Sequence, residues 1–263
     1  MKTILNKFNG EPYIIHLPGD GMNDFYHYIS FLEDKEITFN ENIYILFICT
    51  PNIDSPLERQ LIKNNIPYTN LLSYVEKEIN TYKKWNWMYK HIALKRFLEC
   101  ASEGQIKGVS KKTYFIVLDA SDVIINRLDD IVKTYHTYFN QKVVFCGTKS
   151  DYPNECFYNK NYKQTPTVKS NFCVYINNGC IMTNFDLLKK ITDEILQCNK
   201  TGLCGNFILN HVLIDDDQYI CKIMQKRMIL GYGKIKTDDM CILFQSASAG
   251  TYITETEDTI IID

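Results

Sequence analysis

The stretch Phe115-Ile116-Val117-Leu118-Asp119-Ala120-Ser121-Asp122 sets an apolar, β-prone run against two carboxylates three residues apart. Such a run, from Thr113 to Leu118, reads as a strand buried on both faces. In an open α/β sheet ligands gather outside the carboxyl ends of the strands, where Asp119 and Asp122 would emerge. Through a tight turn both can offer oxygens to one hard divalent cation, which can in turn neutralise a diphosphate. The spacing leaves a second reading open, in which Asp119 ends the strand and Asp122 caps the next turn.

Outward from this stretch the chain alternates between strand and helix. Ile43 to Thr50 is a second buried strand, stopped by Pro51, and a helix follows from Ser55-Pro56 to just before Asn64-Asn65. Trp85 to Cys100 carries Trp87, Met88, Ile92, Leu94, Phe97 and Leu98 near helical spacing, so it reads as an amphipathic helix. Leu128 to Phe139 is a helix and Lys142 to Cys146 a third strand. Gly147 to Lys169 is a long polar and aromatic loop, Asn177-Asn178-Gly179 a turn, and Asn184 to Gln197 and Gln218 to Arg227 are helices. Cys241 to Phe244 and Thr259 to Ile262 are strand-like. The pattern predicts an α/β fold with a mainly parallel sheet covered on both faces. No linker interrupts it, so residues 41–263 read as one domain, with 1–40 an N-terminal extension packed on that core.

The charge balance, 29 Lys plus Arg against 31 Asp plus Glu, argues against a nucleic-acid partner. Ten scattered cysteines without a Cys-x-x-Cys pair read as reduced thiols. The N-terminus lacks a signal-like apolar core, and no apolar run reaches spanning length. A cytoplasmic protein with no membrane contact is expected. No Gly-x-Gly-x-x-Gly, Gly-Lys-Ser/Thr or Gly-x-Ser-x-Gly is present, which disfavours P-loop, Rossmann-nucleotide and serine-hydrolase sites. His16, His27, His91, His136 and His211 show no zinc spacing. A phosphatase of the haloacid-dehalogenase type would need Asp-x-Asp, and here the second carboxylate falls one position late.

Two further features carry a functional and a bland reading each. Asp215-Asp216-Asp217 either lines a helix start, where the dipole tolerates negative charge, or aims one carboxylate at a reacting centre. Lys90 is either solvated or the partner of a diphosphate.

In this order, five segments resemble the glycosyltransferase domain of procollagen lysyl hydroxylases and related collagen-type glycosyltransferases. They are Phe115 to Ile131, Lys142 to Asn154, Tyr175 to Met182, Asp215 to Ile223 and Cys241 to Gln245. The resemblance runs from about Ile43 to Gln245. It implies a GT-A-like, Rossmann-type mixed sheet, mainly parallel and flanked by helices. By the same resemblance Asp119 and Asp122 would ligate Mn2+ (or Mg2+) bridging the diphosphate of UDP-glucose or UDP-galactose. Thr50 would approach the uridine, Lys90 the diphosphate, and Asn177 with Gly179 the sugar. Tyr152 would border the site, and Asp216 and Asp217 would face the transferred hexose and a protein or glycan acceptor such as hydroxylysine of a collagen-like chain. Ser121 stands where the family has an aromatic residue near the nucleotide. The family's late metal-binding His is absent too, which leaves Asp263 or water as candidates for the third ligand.

Overall fold

The computed structural model describes residues 2–19, 21–39, 42–49, 53–82, 88–148, 175–201, 221, 224–225, 228, 230–231, 233–247 and 251–262. Two short strands, β1 (Thr3–Asn6) and β2 (Ile14–His16), precede helix α1 (Gly21–Ile29) and a 3-10 turn at Ser30–Asp34. Next comes β3 (Ile43–Ile48), buried at all six positions as its unbroken apolar run demands. In α2 (Pro56–Lys63) the Ser55 hydroxyl accepts the Glu58 N–H at 3.1 Å, the cap that the Ser-Pro pair announced. Strand β4 (Tyr68–Asn70), a 3-10 turn at Leu71–Tyr74, α3 (Glu76–Tyr82) and α4 (Met88–Ser102) lead to β5 (Tyr114–Asp119). There follow β6 (Val123–Ile125), α5 (Ile131–Phe139), β7 (Val143–Thr148), β8 (Tyr175–Asn184) and α6 (Phe185–Thr201). The chain closes with β9 (Ile235–Asp238), β10 (Phe244–Ser246), β11 (Ile253–Glu255) and β12 (Thr259–Ile262).

The main sheet has the order β4-β3-β5-β8-β7-β9. β8 runs against both of its neighbours, and the other five strands share one direction. The mixed, mainly parallel sheet read from the sequence is therefore what the chain builds. Alternation along the strands sends Tyr44, Leu46, Phe115 and Val117 to a core shared with Leu94 and Phe97 of α4 and Leu188 of α6. Ile45, Phe47, Ile116 and Leu118 face the opposite core, with Leu57 and Leu61 of α2 and Ile131 and Tyr135 of α5. Phe97 meets the Phe115 ring edge-on at 6.0 Å, so α4 is anchored on the central strand.

Two three-stranded sheets flank this body, β10-β2-β6 and β1-β12-β11. The first matters for the site: β2 lies between β6, which directly follows Asp122, and β10 from the far end of the chain.

Several expectations shift. Asn177-Asn178-Gly179 is no turn, because β8 passes straight through it, paired to β7 as far as Asn177 and to β5 from Cys180 onward. The local signal is instead spent on a bulge: Phe145 faces Ile181 and Cys146 faces Asn177, which leaves Asn178, Gly179 and Cys180 without a counterpart on β7. The helix expected from Leu128 begins at Ile131, because Asp130 sits at φ 50° in the left-handed region, held by the Tyr13 hydroxyl at 2.6 Å and Arg127 at 2.7 Å. The polar loop beyond Thr148 and nearly all of the helix expected from Gln218 lie outside the described residues. Among the described residues no helix is long and apolar enough to cross a membrane. The described cysteines Cys49, Cys100, Cys146, Cys180, Cys221 and Cys241 are free thiols.

Candidate metal centre

β5 delivers Asp119 to the carboxyl edge of the main sheet, and the turn Ala120-Ser121 returns the chain to β6 with Asp122 at its mouth. The Ser55 hydroxyl donates to the Ala120 carbonyl at 2.6 Å, so the cap of α2 also braces this turn. Asp119 and Asp122 keep 30% and 20% of their side-chain surface in solvent.

A third residue meets them from an unexpected quarter. His16, the last residue of β2, is 2% exposed and points its Nε2 at both carboxylates, 3.4 Å from Asp122 Oδ2 and 3.8 Å from Asp119 Oδ2. One ligand atom from each of the three lies within 4.8 Å of the others. Metal–ligand bonds of about 2.2 Å set neighbouring ligand atoms roughly 3–4.4 Å apart, so both His16 distances already suit a shared ion.

The polar atoms fit that reading. Both nitrogens of His16 and Oδ1 of Asp122 are buried without a hydrogen-bond partner among the described residues. At 3.4 Å the His16–Asp122 contact is an ion pair rather than an aligned hydrogen bond. Two carboxylates and one imidazole are donors suited to Mn2+ or Mg2+, and the exposed faces of the carboxylates leave room for a further ligand.

Gly179 makes the approach possible. A Cβ there would overlap His16 Cε1 and stand 2.5 Å from Nε2 and 2.9 Å from Asp119 Oδ2. The bulge that carries it is shaped by Asn177, whose Oδ1 accepts the Gly179 N–H at 2.8 Å. Lys90, buried in the first turn of α4, donates to Asp119 Oδ1 at 3.0 Å and to the Asn178 carbonyl at 2.8 Å, tying helix, strand end and bulge together.

Without an ion the cluster balances its own charge. Burial works against the His16 imidazolium, but the Asp122 carboxylate, the neighbouring Cys146 thiol and the Asp119 charge outweigh it and push the group up to about 10. Burial likewise opposes ionisation of Asp122, yet the His16 charge, with help from Lys90, draws its carboxyl below the usual range. The Cys146 thiol is pushed well up by its contact with Cys180 and by burial.

Of the residues singled out in the sequence, Asp119, Asp122, Lys90, Asn177 and Gly179 meet at this edge, and Ser121 is exposed on the turn between the aspartates. Lys90 is committed to Asp119 and Asn178, and Asn177 spends its Oδ1 within the bulge. Thr50, Tyr152, Asp216, Asp217 and Asp263 lie outside the described residues. His16 is not among the residues the sequence pattern singles out, because it has no partner at zinc-ligand spacing. Its signal was the same as that of Asp119: Tyr13-Ile14-Ile15 is a short apolar run that hands a polar residue to a turn, Leu17-Pro18-Gly19.

No protein-family model matches the chain, and no curated protein matches it. Among solved structures, the apo form of mouse xyloside xylosyltransferase 1 aligns over 80% of this chain and 74% of that chain, at 8% identity and a TM-score of 0.40. At that identity and score the likeness assigns neither family nor activity.

Proposed function

We propose that the chain is a divalent-metal-dependent glycosyltransferase that transfers a hexose from UDP-glucose or UDP-galactose to an acceptor hydroxyl. The observation that carries this reading is the convergence of His16, Asp119 and Asp122 on one point at the carboxyl edge of a mixed α/β sheet. These three would hold the ion, and Mn2+ or Mg2+ bound there supplies positive charge to the diphosphate of the departing UDP.

The chain's own groups have distinct tasks. Lys90 holds Asp119 in place and offsets its charge while the site is empty of donor. Gly179 and Asn177 keep the floor of the site thin enough for the imidazole to reach the carboxylates. Ser121 is exposed between the aspartates, and from the resemblance alone it stands near the nucleotide. From the resemblance alone, Thr50 approaches the uridine, Tyr152 borders the pocket, and Asp216 or Asp217 organises the acceptor hydroxyl. A hydroxylysine acceptor rests on the same resemblance.

The self-balanced charges favour one other reading. With His16 and Lys90 set against Asp119 and Asp122, the cluster needs no ion to stand, as in a relative that binds a nucleotide sugar or glycan and performs no transfer. UDP release from UDP-glucose and UDP-galactose, with and without Mn2+, separates the two when paired with UDP calorimetry. Mn2+-dependent release supports the transferase. Tight UDP binding without turnover supports the silent relative, and neither binding nor release sinks both.

A further inference from the structure

β10 brings another polar group to the face that carries His16. Parallel pairing sets Ser246 beside His16 and Phe244 beside Ile14. Side chains of paired residues rise from the same face of a sheet. Ile14, Val123, Ile125 and Phe244 of this small sheet join the core beneath the main sheet, while Ile15, Ile124 and Ala247 join the core on the other side. Ser246 therefore shares with His16 the face turned toward Cys146 and Cys180. The register is locked at this point, because the Ala247 N–H donates to the His16 carbonyl at 2.8 Å.

The Ser246 residue is 6% exposed, and its hydroxyl has no hydrogen-bond partner among the described residues. The same holds for Nδ1 of His16, the ring nitrogen on the far side from Nε2 and the carboxylates. A buried polar atom left unpaired costs about 1–3 kcal/mol, so two of them on paired residues of adjacent strands, not bonded to each other, call for one shared water. The Cys146 thiol also borders the imidazole, but it donates toward the Gly147 carbonyl at 3.5 Å and sulfur is a weak acceptor.

We propose that Ser246 is the positioning residue of this centre: one buried water accepts the Nδ1–H of His16 and donates to the Ser246 Oγ, and so keeps Nε2 turned to Asp119 and Asp122. The role of this contact rests on the metal-centre reading, whereas the contact itself does not. Imidazole ligands are ordinarily anchored through their second nitrogen in this way, which fixes both the tautomer and the ring plane.

Nitrogen–proton correlation spectra of the His16 ring in the whole chain, metal-free and with Mg2+, test the assignment together with Mg2+ calorimetry. In Ser246→Ala the hydrogen-bonded Nδ1 proton should be lost or shifted, and Mg2+ affinity should fall about 10–100-fold. Ser246→Thr keeps the hydroxyl and should retain both. Ser246→Cys, a weaker acceptor of similar size, should shift the proton in the same direction should the alanine variant not fold. An Nδ1 proton that is unmoved in the alanine and cysteine variants overturns the proposal. If the unaltered protein takes up neither Mn2+ nor Mg2+, the metal-centre reading falls, while the Nδ1 proton of the metal-free chain still decides the contact with Ser246.

Discussion

Loading the centre with Mn2+ should expel a proton. The His16 group is held up to about 10 by its carboxylate neighbours, so near neutral pH the ring is an imidazolium. Only neutral imidazole can ligate a metal. From pH 7 to about 10 is a gap of about 3 pH units, so apparent affinity at neutral pH should lie about a thousandfold, or about 4 kcal/mol, below its alkaline limit. Asp122 is drawn below the usual carboxylate range and stays ionised throughout, so it adds no slope of its own. Affinity for Mn2+ should therefore rise about tenfold per pH unit between roughly pH 6 and 8, with close to one proton released. Calorimetry in two buffers of different ionisation enthalpy reads the proton, and Mn2+ paramagnetic resonance reads the affinity. His16→Gln should abolish both the slope and the buffer-dependent heat. The metal-free fold should show the mirror effect. Because the folded-state value of His16 lies above its ordinary 6.5, its ion pairs stabilise the fold fully below that pH and are lost as pH climbs through about 10. An Mn2+ affinity that is flat with pH, with no buffer-dependent heat, would refute the assignment of His16 to the centre.

Other perturbations probe the supports. Gly179→Ala drives a methyl into His16 and should lower Mn2+ affinity along with stability, by about 1–3 kcal/mol; combining it with His16→Ala should relieve most of the stability loss, and additive melting data would deny the clash. Lys90→Met strands the Asp119 carboxylate and the Asn178 carbonyl, so the metal-free protein should lose about 3 kcal/mol or more. Mn2+ should then raise the melting temperature further than in the unaltered chain, and an unchanged metal-free melting temperature would show Lys90 to be dispensable. Asp238 accepts the Ile242, Leu243 and Phe244 N–H groups at 2.8, 2.6 and 2.8 Å, and burial pushes it up to about 6. A carboxyl raised in the fold costs stability as pH rises from its ordinary value toward that figure, up to about 3 kcal/mol; Asp238→Asn should flatten urea-unfolding stability over that range, and an identical profile would exclude Asp238 as the source.

What the sequence disclosed follows the range of the forces involved. β3 and β5 were legible because an unbroken apolar run must be buried on both faces, and α2 because Ser55 and Pro56 act within one turn. Asp119 and Asp122 were legible as a pair at a strand end for the same local reason. Asn177-Asn178-Gly179 misled because its composition suits a turn, whereas the pairing of β8 to β7 before it and to β5 after it overrides local preference and turns the glycine to another use. Asp130 shows the converse: a left-handed residue pinned by Tyr13, more than a hundred positions away in the chain, delays a helix that periodicity starts three residues earlier. His16 was hidden because the carboxylates it meets lie more than a hundred positions further along the chain; only the pairing of β2 with β6 and β10 brings it to the aspartates.

That placement of β2 governs the order in which the protein can be made. On the ribosome, residues 14–16 emerge early, then wait for Val123–Ile125 and again for Phe244–Ser246 before both of their edges are closed. Asp119 and Asp122 are synthesised near the midpoint, after both His16 and Lys90, so the cations that offset them are already in the chain when they emerge. Any product that carries the aspartates therefore carries the histidine as well, but one stalled before Phe244–Ser246 holds that histidine on a strand closed along one edge only.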